Sequence, residues 1–127
     1  MKNGLIKVAA AIPAVKVADT KFNLIETEKQ IAVADGQGVE IIVFPELSLT
    51  GYSCQDLFQQ QLLLDDAEQS VLRLLEFTRQ LDITVIVGAP VTVGPLLLNC
   101  AIVIQQGKLL GIVAKTFLPN YSEFYEK

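Results

Sequence analysis

The sequence predicts an α/β domain with parallel strands joined by crossover helices, on three observations. Residues 41–45, Ile-Ile-Val-Phe-Pro, carry no polar side-chain atom, which marks a strand buried on both faces. A segment of helical period lies between that run and an earlier apolar run at 5–12. A strand–helix–strand unit of this length makes its two strands parallel neighbours. Third, 51% of the 127 residues are hydrophobic, only 19% are charged, and the mean hydropathy is +0.43. One domain of this size can bury a real core. So apolar a composition also implies either doubly buried strands or apolar surface covered by something outside this stretch.

The elements follow in order. A strand over 5–12 ends at Pro13, because proline has no N–H to donate to a ladder. Asp19 or Thr20 caps a helix running to about Asp35. Leu24, Ile25, Ile31 and Ala32 supply its apolar stripe, and Glu28 interrupts it. Gly36 and Gly38 close this helix and lead to the strand ending at Pro45. Residues 51–61 are expected to be loop with at most one helical turn. Asp65-Asp66-Ala67-Glu68 resembles a capping box, opening a helix whose apolar side holds Val71, Leu74, Leu75 and Leu81. A buried strand at 83–88 follows, and 89–93 continues it past a bend. Strands at 96–105 and 108–114 form a hairpin around Gln106-Gly107.

Composition excludes several functions. The net charge is −4, the pI about 4.7, and no basic cluster exists, so a nucleic-acid partner is not expected. The sequence has no histidine. No Ser-His-Asp triad, Cys-His pair or histidine metal site can therefore form within it. Cys54 and Cys100 are too far apart for a CxxC motif and too few for a disulfide framework, which fits a reducing cytoplasm. The apolar run at 8–15 lacks a following cleavage site, so a signal peptide is not expected. Residues 83–107 carry no charge. They hold Gly88, Pro90, Gly94, Pro95 and Asn99 and are rich in valine and isoleucine, which favours strands over a membrane helix.

Two charged residues sit where strands end. Glu46 follows Pro45 at a carboxyl end, where open α/β sheets place ligands. It is either a loop acid capping the next turn or a catalytic carboxylate. Lys115 ends the last strand, and in isolation reads as a lysine snorkelling from a strand end. Cys54 lies near Glu46, but its neighbours supply no positive charge to form a thiolate. Cys100 reads as a small core residue.

Phe44-Pro45-Glu46-Leu47-Ser48-Leu49-Thr50-Gly51-Tyr52 resembles the first catalytic motif of the nitrilase, or carbon–nitrogen hydrolase, superfamily. Gly111-Ile112-Val113-Ala114-Lys115 resembles its lysine motif, and Asn99-Cys100-Ala101 before a hairpin fits the stretch between. Thr50-Gly51-Tyr52 with Gln55-Asp56-Leu57, and the segment from Leu118-Pro119-Asn120-Tyr121 through Ser122-Glu123-Phe124-Tyr125-Glu126, are similar to one branch, the glutaminase domains of glutamine-dependent NAD synthetases. Ser53-Cys54 departs from the prolines this branch often has there. The resemblance covers residues 1–127.

The resemblance implies an α-β-β-α sandwich of which this chain supplies the first half only. It implies Glu46 as general base and Lys115 as oxyanion donor, delivered by neighbouring strand ends into one cavity. The family's nucleophilic cysteine has no counterpart among these residues, so the chain alone is expected to be inactive. Glu123 matches a second family glutamate; as a residue alone it reads as a solvated loop acid. Tyr52 and Tyr121 match positions lining the glutamine pocket, the alternative being aromatic packing over a sheet edge. Glutamine is the implied substrate and a synthetase domain in the same chain the implied partner. The resemblance implies no cofactor here, with ATP and Mg confined to the synthetase domain. A homo-oligomer is expected, with neither nucleic acid nor membrane as partner. The rival expectations are a nitrilase-type amidase acting on another carboxamide and a non-catalytic α/β fragment.

Overall fold

A computed structural model of the chain describes residues 4–51 and 57–114, with the side chains of 57–60 set aside. One five-stranded sheet organises it: β1 (Val8–Ala10), β2 (Ile41–Val43), β3 (Thr84–Val93), β4 (Leu96–Gln105) and β5 (Lys108–Ala114). The spatial order is β1-β2-β3-β4-β5, the order of the chain. β1, β2 and β3 are parallel, while β4 and β5 return antiparallel. Helix α1 (Thr20–Gly36) connects β1 to β2, and α2 (Leu57–Phe77) connects β2 to β3. The two helices pack on each other, so they lie on one side of the sheet.

That side holds the core. Registers align Ala9, Ile42, Val85 and Ile104 across four strands, with Val87 beside Ile102. All but Ala9 are fully buried, together with Ile31 of α1 and Leu74 of α2. Burying each such aliphatic side chain contributes about 1.5–3 kcal/mol. Strand alternation puts Val8, Val43, Ile86, Val103 and Val113 on the opposite side. There Val8 is 61%, Val43 41% and Val113 62% exposed. Exposed aliphatic side chains on this face contribute to the high mean hydropathy.

Helix α1 begins as the sequence indicates: the Asp19 carboxylate accepts from Phe22 N at 3.0 Å. Its buried stripe differs from the expected one. Thr20, Asn23, Leu24, Thr27, Ile31 and Ala34 face inward, whereas Ile25 and Ala32 are exposed. Three inward residues are polar and are not visible as part of a hydrophobic stripe. Thr27 satisfies its hydroxyl on Asn23 O at 2.8 Å. Gly38, at φ +78°, turns the chain out of the helix towards β2.

Helix α2 starts earlier than predicted. Residues 57–64 hold leucine, glutamine and phenylalanine with no glycine or proline to stop them. The expected capping box is thus interior, and Asp65 accepts from Gln61 Nε2 one turn back at 3.1 Å rather than capping. The first strand is shorter than the apolar run 5–12, because β2 offers only three partners. β3 continues unbroken through Pro90. β2 pairs no further than Ile86, so Pro90 lies where β3 has no strand neighbour on that side. The β4–β5 turn is as predicted. Gln106 and Gly107 both take positive φ, as a two-residue primed turn requires. Gly107 N donates to Thr78 Oγ1 at 3.2 Å, docking the hairpin on the end of α2.

Candidate active site

The chain leaves β2 through a tight turn that carries Glu46. Phe44 N continues the ladder to Ile86 O at 2.9 Å. Ser48 N then bonds Pro45 O, Gly51 N bonds Leu47 O, and Leu47 adopts φ +55°. A non-glycine residue in the left-handed region costs energy and persists where its surroundings over-determine it. Here the surroundings are β3 and α1. Leu49 N donates to Gly88 O at 3.1 Å, and Gly88 N to Ser48 Oγ at 3.4 Å. The buried Asn23 of α1 donates to Leu49 O and Lys16 O, both at 2.9 Å, and accepts from Lys16 N. One side chain thus ties the β1–α1 loop to the Glu46 turn.

Gly88 permits the approach. A Cβ there would stand 2.4 Å from Leu47 N and 2.7 Å from Pro45 O. Both are backbone atoms, so any side chain at this position displaces the turn. Across β3, Asn99 of β4 donates its amide to the Glu46 carboxylate. Glu46 itself is exposed at the rim.

Between these groups lies a cleft of about 320 Å³ on the uncovered face of the sheet. Val43, Ile86, Ala101 and Val113 form its apolar wall, with Glu46 and Asn99 as its polar side chains. Ala114 also lines it, and Lys115 is the next residue in sequence. Lys115, Tyr52, Tyr121, Glu123 and Cys54 lie outside the described residues. The strands leading to Glu46 and Lys115 are not neighbours: β3 and β4 stand between β2 and β5. Since β5 runs in the direction of β2, both strands nevertheless end at the same edge of the sheet, and the cleft spans the gap. Cys100 is 4% exposed and alternates with Ile102 and Ile104 on the core side. Burial pushes its thiol up from the ordinary value, which keeps it protonated and inert. Among the described residues no cluster of acids and thiols suits a metal ion, and no helix is long and apolar enough to cross a membrane.

Sequence reasoning gave no role to Asn99 or Gly88. Asn99 carried a signal, as the one amide between Thr92 and Gln105 in an otherwise apolar run. Gly88 carried none that separates a close approach from a strand bend.

Residues 7–127 match the family described as carbon–nitrogen hydrolase, and the chain belongs to it. Within the family its relatives include glutamine-dependent NAD(+) synthetases. That of Mycobacterium leprae is 35% identical over 124 residues, covering 98% of this chain and 18% of its own length. That of Aquifex aeolicus is 43% identical over 101 residues, covering 78% of this chain. The chain therefore spans about a fifth of the length of the curated relatives it matches. The solved glutamine-dependent NAD(+) synthetase of Cytophaga hutchinsonii superposes with a TM-score of 0.76 at 32% identity, covering 91% of this chain and 20% of that one. An amidase from Nesterenkonia sp. superposes at 0.79 with 21% identity, over 94% of this chain and 46% of that one, a likeness of fold alone.

Proposed function

We propose that this segment contributes the acid and the ammonium group of a glutamine-hydrolysing site. In this reading the ammonia it releases serves an ATP-dependent synthetase domain of the same cytoplasmic chain, which amidates nicotinic acid adenine dinucleotide. The observation that carries the reading is Glu46 at the mouth of the cleft, held on a turn that β3 and α1 both fix. The names of the relatives supply the substrate class.

The chemistry follows from the residue types. Glu46 takes the proton of a cysteine thiol supplied by chain outside these residues, and the sulfur attacks the carboxamide carbon. Lys115 donates to the oxyanion, where a fixed cation in a dry site acts strongly. Glu46 passes the proton to the departing nitrogen, and ammonia leaves. It then deprotonates water, which cleaves the thioester to glutamate and restores the thiol. Tyr52, Tyr121 and Glu123 are assigned to binding glutamine or orienting Lys115.

The test is glutamine-dependent ammonia release by the full-length protein bearing this segment. Glu46→Gln and Lys115→Met are each expected to lower kcat by about 10²–10⁴ or more, while ammonia-driven synthesis persists. Full glutaminase rate in either variant overturns the assignment. Release from another carboxamide at a higher kcat/KM than from glutamine overturns the substrate.

A further inference from the structure

We infer that Asn99 is a positioning residue for Glu46: its amide, delivered by β4, fixes the carboxylate over the cleft. The inference rests on the catalytic reading of Glu46 and adds a residue to it. Three observations carry it. Asn99 Nδ2 donates to Glu46 Oε2 across 53 positions of sequence. β2 and β4 are not neighbours, so the contact has to pass over β3. The Glu46 turn rests directly on the backbone of β3 at Gly88, two residues from Pro90, the register partner of Asn99.

The chemistry selects the orientation of the amide. An ionised carboxylate only accepts, so the nitrogen of Asn99, not its oxygen, must face it. A hydrogen bond to a charged acceptor is among the stronger ones, and it restricts the carboxylate to one rotamer. A general base must meet its proton at hydrogen-bond distance. Glu46 is exposed and stands on a turn, so the bond from Asn99 narrows the rotamers that its side chain samples. The alternative is that Asn99 merely fills a half-buried place on the sheet. Its neighbours on that face, Ala101 and Val103, are small and apolar, and an amide there needs a polar partner. Glu46 supplies that partner.

Asn99→Asp and Asn99→Ser separate these roles in the full-length protein. Aspartate keeps the shape and loses the N–H; serine removes the amide without adding charge. We expect kcat for glutamine hydrolysis to fall about 10- to 100-fold in each, the scale of a misplaced catalytic group. KM and Tm are expected to stay near the parental values, and Asn99→Gln, which retains the amide, to recover part of the rate. Parental kcat in both variants overturns the inference. So does an Asn99→Gln enzyme as slow as Asn99→Asp, or a loss of rate that tracks a loss of Tm. Glu46→Gln is assayed alongside. If it is inactive while the Asn99 variants run at full rate, only the positioning role falls. If it is fully active, the catalytic reading falls and the positioning role with it.

Discussion

Two residues, Gly88 and Asn23, carry the geometry of the Glu46 turn. Gly88→Ala would place a methyl group within 3 Å of two backbone atoms, neither of which can rotate away. The expected cost is about 1–3 kcal/mol, as for overpacking, with a kcat loss exceeding any change in KM. Chemical denaturation and steady-state assay measure the two effects, and an alanine variant with parental kcat would show that the turn tolerates displacement. Asn23→Ala removes the donor to Leu49 O and the acceptor of Lys16 N, while Lys16 O keeps the bond from Asp19 N. A destabilisation of about 1–3 kcal/mol is expected by denaturant unfolding. Cys100 should resist iodoacetamide in the native protein and react only on unfolding, because it is buried and its thiol is pushed up. Rapid native labelling at this cysteine, identified by peptide mapping, would contradict its place on the core side.

At the scale of elements, helix α1 carries a titrating feature. Glu28 sits half-buried, and desolvation raises its carboxyl above the ordinary value, while Arg73 of α2 pulls the other way. The native state therefore holds this proton more tightly than the unfolded chain does. Its contribution to stability is fully present below the unfolded carboxylate value and is lost as pH rises through the raised native one. Glu28→Gln is expected to have a Tm above the parent near pH 7, the gain shrinking towards pH 4. A gain independent of pH would refute the desolvation account. What the sequence made legible follows from similar local physics. The β4–β5 hairpin was readable because Gln-Gly meets a local turn requirement, and the Asp19 cap because its acceptor serves an amide three residues on. The inward face of α1 was not readable, since Asn23 is buried for bonds to loops far away in sequence. The start of α2 was missed because Asp65-Asp66-Ala67-Glu68 has the form of a cap, while the residues before it continue the helix. At the candidate site, the motif placed Glu46 at a strand end. The Asn99 contact depends on which strands lie side by side, and local sequence does not carry that.

For the whole molecule the unequal treatment of the two sheet faces dominates. Helices cover one; valines at 8, 43 and 113 leave the other apolar and open, a combination that favours association. The 127-residue polypeptide prepared by itself is expected to sediment as an oligomer whose size grows with concentration. A monomer at high concentration, by light scattering, would count against that exposure. The agreement between strand order and chain order has another consequence. During synthesis each new strand finds its neighbour already made and waiting, so the sheet can grow vectorially from the amino end. The acid of the cleft is translated about fifty residues before the amide that steadies it. The bond between Asn99 and Glu46 therefore cannot form until β4 has been made.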